Sequence, residues 1–216
     1  MVETWFALSR EDQADALEQA EYELPDRPAY LLEKDIWVVW VLSVVYNSPF
    51  ANKLTFKGGT SLSKVYKIIN RFSEDIDLTY DIRELVPELL SDRNPIPVSK
   101  TKAKKISDKV KKILPGWIES SVKPVIESAL SDFCLQAELS IGGNGKDQLI
   151  IAYSPLTTAD ETGYVSQTIK LEFGARATGE PHHTDNVVCD IAAAIEGVDF
   201  PTANPLVMDA ERTFWE

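Results

Sequence analysis

The sequence has little cysteine and no long apolar segment, and both shortages limit the kind of protein that it encodes. Two cysteines, Cys134 and Cys189, are too few for a disulfide framework. The chain opens without the pattern of a signal peptide, so we expect a reducing, cytoplasmic compartment. A membrane helix needs roughly 18 to 20 apolar residues, and the apolar run 36–46 is too short. These shortages predict a cytoplasmic protein without a membrane partner.

Basic residues are also in deficit, because 22 lysines and arginines face 34 aspartates and glutamates, and the net charge is −12. Binding nucleic acid needs concentrated positive charge, so this balance excludes a protein that coats nucleic acid with its whole surface. The segment 100–112 is a local exception. On a helix that buries Ile106, Val110 and Ile113, its lysines form either an ordinary solvated face or a patch that attracts an RNA acceptor or a nucleotide. These lysines are Lys100, Lys102, Lys104, Lys105, Lys109, Lys111 and Lys112.

Histidine is equally scarce, and its placement argues against a zinc site. His182 and His183 are adjacent, with Asp185 and Cys189 nearby. Adjacent histidines rarely bind one metal ion together, and the sequence has no Cys-x-x-Cys or His-x-x-x-His spacing. We therefore expect both histidines in a loop.

Hydrophobic residues make up 44% of the 216 positions, which is enough for a buried core. Helical and alternating patterns are interspersed along the chain, which predicts an α/β fold with a mixed sheet flanked by helices. Helices are predicted over 4–22 with Thr4 as cap, 29–46, 60–70, 100–112, 117–130 and 204–216, and strands over 54–56, 75–79, 134–141, 148–153 and 165–173.

A glycine pair precedes one of these helices. Gly58-Gly59 can form a tight turn and let a phosphate group approach the backbone closely. The polar residues Thr60-Ser61 follow where the helix 60–70 would begin. The apolar stripe of this helix is Leu62, Val65, Tyr66 and Ile69.

Two aspartates follow on a predicted strand. Alternation over 75–79 places Asp75 and Asp77 on one face and Ile76 and Leu78 on the other. Two carboxylates about 7 Å apart along a strand can share divalent cations. Together with the glycine turn, this predicts a metal-dependent site for phosphoryl or nucleotidyl transfer. The alternative is an ordinary helix, turn and strand with solvated acids.

The run FKGGTSLSK at 56–64, followed by RFSEDIDL at 71–78, resembles the signature of the AbiEii/AbiGii-type nucleotidyltransferase toxins. These toxins are a branch of the DNA polymerase β-like nucleotidyltransferase superfamily. The segments LLEKDIWVVWVL at 31–42, IKLEFGAR at 169–176 and ERTFWE at 211–216 also look like segments of that family. The resemblance implies a nucleotidyltransferase-like sheet with Mg²⁺ or Mn²⁺ as cofactor and an NTP as substrate.

The resemblance also implies roles for particular residues. A polymerase β-like site takes a third carboxylate from a neighbouring strand, and Glu172 is placed to supply it. Lys170 would contact the triphosphate or balance the acids, Arg176 would bind phosphate or a loop acid, and Lys34 would face the nucleotide or lie at a helix edge. The implied catalytic and metal-binding residues are Asp75, Asp77 and Glu172, and the implied nucleotide-binding residues are Gly58, Gly59, Thr60, Ser61, Lys64, Arg71, Ser73, Lys170 and Arg176.

By resemblance, the expected protein is an Mg²⁺-dependent enzyme that moves an NMP from an NTP to an acceptor hydroxyl, with tRNA as the favoured acceptor. It would be the toxin of a bacterial toxin–antitoxin or abortive phage-infection system, with a cognate antitoxin. Two alternatives stay open: transfer to a protein hydroxyl (NMPylation), and a domain that binds nucleotide or RNA without turnover. We expect a nucleotidyltransferase domain over 1–203, and over 204–216 the start of a C-terminal helical region that is cut short.

Overall fold

The computed structural model describes residues 3–70, 72–73, 75–90, 99–157 and 167–215. It is a mixed α/β structure built on a seven-stranded mixed sheet, so the predicted fold class is confirmed. Within the described ranges, every helix lacks the length or the hydropathy needed to cross a bilayer. The α-helices are α1 Arg10–Glu23, α2 Ala29–Tyr46, α3 Gly58–Lys64, α4 Ile82–Leu85, α5 Lys100–Trp117, α6 Lys123–Asp132 and α7 Ala210–Trp215.

The sheet has the strand order β4-β5-β6-β3-β2-β11-β7, with β3 in the centre. Strand β3 pairs in parallel with β6 and antiparallel with β2, while two further pairs, β1 with β9 and β8 with β10, lie outside this sheet. The strands are β1 Glu3–Thr4, β2 Leu54–Lys57, β3 Asp75–Tyr80, β4 Ala137–Gly142, β5 Gln148–Tyr153, β6 Thr168–Gly174, β7 His182–Thr184, β8 Val187–Val188, β9 Val198–Asp199, β10 Thr202–Ala203 and β11 Leu206–Met208.

Helices cover one face of the sheet. Trp37 of α2 stacks on Tyr153 of β5, with ring centroids 4.7 Å apart. At the end of α5, Trp117 stacks on Tyr80 at 4.0 Å and meets Phe173 edge to face at 5.6 Å. Side chains alternate across a strand. The residues directly before Tyr80, Tyr153 and Phe173 in their strands therefore point to the opposite face. That second face carries part-exposed and exposed polar side chains.

Helix α2 lies in the core and has the predicted bounds 29–46. Apolar residues lie on all sides of this helix, and such a helix is normally buried all round. Even its three consecutive charged residues are buried, with Glu33 2% exposed, Lys34 1% and Asp35 2%. Buried charges need partners, and the partner of Asp35 is Lys64.

The first helix was predicted over 4–22, which is wrong at its beginning. Helix α1 begins at Arg10, because the Ser9 hydroxyl accepts a hydrogen bond from the Asp12 amide at 3.1 Å and caps the helix. Trp5 belongs to a separate 3₁₀ turn and stacks on Phe200. Thr4, the predicted cap, instead lies in β1 opposite Asp199.

Helix α3 is shorter than the predicted helix 60–70. It begins at Gly58 and ends at Lys64, and Lys67 has a φ of 53°, which an α-helix does not allow. The Tyr66 hydroxyl donates to the Met208 carbonyl at 2.8 Å, so a tertiary contact, and not the helix repeat, places this side chain.

Other boundaries also differ from the predictions. Cys134 has a φ of 54° and lies in a turn, so β4 begins at Ala137 and not at 134. The histidines predicted in a loop lie in β7. The helix predicted from 204 begins at Ala210, because Leu206–Met208 pairs with both β2 and β7. The domain division at residue 203 stays a prediction.

Candidate active site

The acidic residues lie on the second, polar face of the sheet, at its centre. Asp77 of β3 lies opposite Glu172 of β6 and opposite Lys57 of β2. Asp75 lies opposite Lys170. Residues opposite each other on paired strands point to the same face. The structure therefore places both aspartates, Glu172 and Lys170 on one face; the alternating pattern predicted this placement for the two aspartates, and the resemblance implied it for the other two.

The apolar neighbours of the aspartates hold them in place. Ile76 and Leu78 are fully buried under the helices. A slip of one residue in the register would move these side chains to the polar face and the aspartates into the core. Core packing thus fixes which face the carboxylates occupy.

Two contacts complete the surroundings of Glu172 and Asp75. The Gln148 amide group donates a hydrogen bond to Glu172 Oε2 at 3.0 Å. The Lys170 ammonium lies 3.5 Å from Asp75 Oδ1. That oxygen is buried and has no hydrogen-bond partner among the described residues, which is uncommon for a buried carboxylate atom.

Asp77 has an unusual acidity. Burial raises its pKa, and the neighbouring Glu172 raises it further, while the positive charge of Lys57 opposes both; the result is a pKa of about 6. A carboxylate that is partly desolvated and lies beside another carboxylate gains from any cation that binds between them. This local negative charge exists only in the folded sheet, because strand pairing brings the two carboxylates together.

These residues fit a divalent cation with oxygen ligands. Carboxylates are the side chains that Mg²⁺ prefers, and the buried Asp75 Oδ1 has no hydrogen bond to lose. No group of three aspartate, glutamate, histidine or cysteine side chains in the described residues converges closely enough to hold a metal ion. Asp75 and Asp77 are therefore the pair that would hold the cation, with Glu172 beside them.

Gly58 lies against this acidic pair. Its φ is +76°, a left-handed conformation that favours glycine. A Cβ atom at this position would overlap the Asp77 carboxylate. The structure thus requires the first glycine of the pair for its contact with Asp77, which the sequence pattern did not predict.

The hydroxyl groups at the start of α3 contact the backbone. Thr60 is 1% exposed and donates to the Asp75 carbonyl, and Ser61 is fully buried and donates to the Gly58 carbonyl at 2.9 Å. The Ser73 carbonyl lies 3.4 Å from the Thr60 hydroxyl. Both hydroxyls therefore already donate to the backbone, so a phosphate contact of Thr60 or Ser61 would have to come from their backbone amides.

The structure places Lys64 away from a phosphate-facing position. Its ammonium lies 2.6 Å from Asp35 Oδ1 and 2.8 Å from Asp190 Oδ1, and the side chain is 11% exposed. Burial lowers the pKa of Lys64, but the two carboxylates outweigh burial and raise it above its usual value. Lys64 thus remains charged as part of a buried ion-pair cluster.

The remaining predicted residues are dispersed. Arg176 is exposed two residues after β6. Arg71 lies outside the described residues. The exposed lysines of α5 belong to the helical layer, because Trp117 packs on the face of the sheet opposite to Asp77. The Lys109 ammonium also pairs with Glu88.

Two polar neighbours of the acids were missed in the sequence. Lys57 and Gln148 lie on either side of Asp77 and Glu172 in one cross-strand row. Only the position of Lys57 directly before Gly58 could have drawn attention to it. Gln148 gives no local signal, because its contact with Glu172 depends on strand pairing.

Comparisons with known proteins first define a class, the nucleotidyl transferase toxins. The model of the family described as "Nucleotidyl transferase AbiEii toxin, Type IV TA system" matches residues 40–216, and the chain belongs to this family. The recognition from the motifs is confirmed. No curated protein matches the chain.

Among solved structures, the chain is similar to MenT4, a nucleotidyltransferase toxin from Mycobacterium tuberculosis H37Rv. The identity is 17% and the TM-score is 0.47. The match covers 95% of this chain and 56% of that chain. The chain therefore spans little more than half the length of that toxin.

Proposed function

We propose that the chain transfers an NMP from an NTP to an acceptor hydroxyl with Asp75, Asp77 and Glu172 as its catalytic residues. The observation that carries this proposal is that strand pairing places all three on one polar face of two adjacent strands. Asp77 lies directly opposite Glu172, and Asp75 has a buried oxygen that accepts no hydrogen bond from the part of the chain that the structure describes. Membership of the nucleotidyl transferase family supports the same reaction class.

In the proposed reaction, the acceptor oxygen attacks the α-phosphorus as the bond to the bridging oxygen breaks and pyrophosphate leaves. Asp75 and Asp77 would hold Mg²⁺ or Mn²⁺, which would supply positive charge against the triphosphate and a fixed position for the acceptor. Glu172 serves as a further ligand or takes the proton of the hydroxyl. The sheet holds these groups rigidly, which limits reorganisation during transfer.

The proposal is tested by incubating the chain with each α-labelled NTP, Mg²⁺ and total bacterial RNA. We expect label in an RNA product, and we expect Asp75→Asn to reduce it by at least about a hundredfold, because a carboxylate that binds the cation is lost. Circular dichroism must show that the variant is folded. Undiminished labelling by folded Asp75→Asn protein would refute the assignment.

The tRNA acceptor is proposed from the resemblance, and the exposed lysines of α5, which lie in the helical layer and not beside the acids, are its candidate contacts with the body of the RNA. Changing Lys104, Lys105, Lys111 and Lys112 together to glutamine should lower kcat/KM for RNA about tenfold at low salt, and less at high salt, because fewer phosphate charges are neutralised. The matched arginine variant should keep the activity. Equal loss with a free nucleoside as acceptor would contradict an RNA-binding role.

The same labelling experiment decides between acceptors. Label on protein that survives RNase treatment would indicate NMPylation. NTP binding without labelled product in any acceptor would indicate a nucleotide-binding module.

A role as the toxin of a type IV toxin–antitoxin system, with a cognate antitoxin as partner, is proposed from the family. Growth arrest on expression, relieved by the Asp75→Asn change, would support that role.

A further inference from the structure

Two lysines border α3, and the structure gives them different surroundings. Lys57 is the residue before Gly58, and Lys64 is the last residue of the helix. We propose that Lys57 contacts the phosphates of the bound nucleotide, whereas Lys64 positions α3 and does not touch the nucleotide. This inference rests on the proposed function.

The charge balance around Lys64 leaves no place for a phosphate. Its ammonium is shared between Asp35 and Asp190, and Asp190 Oδ2 also lies 3.3 Å from Arg27 Nε. The Asp190 amide donates to Asp35 Oδ2 at 2.7 Å. Two cations and two carboxylates therefore satisfy one another. A phosphate would have to displace a carboxylate that is almost fully buried, which is costly.

The space beside Lys64 is also too small. The cavity next to it, bordered by Thr60, Ser63 and Ser73, measures about 30 Å³. That volume corresponds to about one water molecule. A phosphate group is larger, so this cavity would have to widen before a nucleotide phosphate could reach Lys64.

The Lys64 cluster nevertheless affects the acidic site through α3. Asp35 belongs to the buried helix α2, so the ion pair ties the end of α3 to the core. The Thr60 hydroxyl ties the beginning of α3 to the backbone of Asp75. Gly58, the first residue of this anchored helix, lies against the Asp77 carboxylate. Loss of Lys64 should therefore loosen the contact between the glycine turn and Asp77.

Lys57 lies where a phosphate would need a positive charge. It is opposite Asp77 in register and is partly exposed on the polar face. Its charge acts on the Asp77 carboxylate. Lys170 occupies the other side of the acids, 3.5 Å from Asp75. A triphosphate brought to these carboxylates by cations would thus lie between two lysines, one on β2 and one on β6.

Direct titration with the α,β-methylene analogues of the four nucleoside triphosphates, in the presence of Mg²⁺, tests both roles. Lys57→Met should weaken analogue binding about tenfold or more, because a charge-assisted phosphate contact is lost. Its melting temperature should fall by less than that of Lys64→Met, because Lys57 is partly exposed and the Lys64 side chain is mostly buried, and Lys57→Arg should restore binding. Lys123→Met, on the far helix α6, is the matched control and should change neither quantity.

For Lys64 we expect the reverse, which is a loss of stability without a loss of analogue binding. Lys64→Met leaves two carboxylates without their lysine, so the melting temperature should fall clearly. The double variant Asp35→Leu/Lys64→Met removes a charge of each sign and should recover most of that loss. It should bind the analogues within about twofold of wild type, yet its kcat should stay reduced because α3 is no longer anchored. Lys64→Arg should restore part of kcat.

Two results would overturn the inference. One is normal analogue binding by Lys57→Met, and the other is weakened binding or normal kcat in the folded double variant. Binding without transfer in the wild type would reject the proposed function alone, while the comparison of the two lysines by affinity would still stand. A wild type that binds no analogue would reject both.

Discussion

Changing Asp77 to asparagine is expected to abolish nucleotide transfer and at the same time to stabilise the folded protein at neutral pH. The two effects have one cause. The Asp77 carboxylate is partly buried beside Glu172, which raises its pKa from an ordinary value of 3.8 to about 6. The negative charge that the proposed reaction needs is therefore unfavourable for folding in the absence of a bound cation.

The sign of the pH dependence follows from linkage. Between about pH 4 and pH 6 the folded state binds more protons at Asp77 than the unfolded state does, so the free energy of unfolding falls as pH rises. Above the folded pKa the full penalty remains. The shift corresponds to about 3 kcal/mol, and partial exposure reduces the expected gain from Asp77→Asn at pH 7 to about 1 to 2 kcal/mol.

Urea unfolding at several pH values in the presence of a chelator measures this gain. The exposed Asp15 on α1 provides the control, because Asp15→Asn removes the same charge without relieving burial. Adding Mg²⁺ should stabilise the wild type and leave Asp77→Asn unchanged. A folded Asp77→Asn protein that is less stable than the wild type at pH 7 would contradict the electrostatic account, and one that still transfers nucleotide would contradict the catalytic role.

Gly58→Ala is expected to be strongly destabilising and inactive. The new methyl group would have to displace the Asp77 carboxylate, and the residue would have to keep a φ of +76°. The unfavourable φ alone costs about 1 to 2 kcal/mol. With the overlap, we expect a loss of at least about 3 kcal/mol in the free energy of unfolding, or a displaced Asp77 and no transfer.

Two other glycines separate these contributions. Gly197 has a φ of +82° but open space around its hypothetical Cβ, so Gly197→Ala should show the backbone cost alone. Gly116 lies within α5, also with open space, and Gly116→Ala should stabilise by about 0.5 to 1 kcal/mol. Chemical denaturation of the three variants measures the change in the free energy of unfolding that each substitution causes. Equal losses for Gly58→Ala and Gly197→Ala would mean that the contact with Asp77 is unimportant.

Much of the fold could be predicted, because local patterns and packing agree there. Helix α2 has the predicted bounds, since a long apolar run has no stable place except the core. The alternation around Asp75 and Asp77 predicted the strand and its two faces, because burying Ile76 and Leu78 leaves the aspartates only one side.

The predictions failed where distant contacts decide the local conformation. The helix expected after Gly59 ends at Lys64; beyond it Lys67 takes a left-handed φ and the Tyr66 hydroxyl donates to the backbone of Met208. The sequence predicts a helix where the short strand β11 forms, because three residues carry too little pattern to show that they pair with a sheet.

By itself, then, the sequence determined the α/β class, the acid-bearing strand and the toxin family, since periodicity and motif order are properties of neighbouring residues. Only the tertiary structure decided which lysine meets the acids. Lys64 follows the glycine turn in the motif, yet Asp35 and Asp190 hold it in a buried cluster. Lys57 lies beside Asp77 because β2 and β3 pair in that register. The physical reason is that charge partners are chosen across strands and helices, at separations in the chain that no local pattern records.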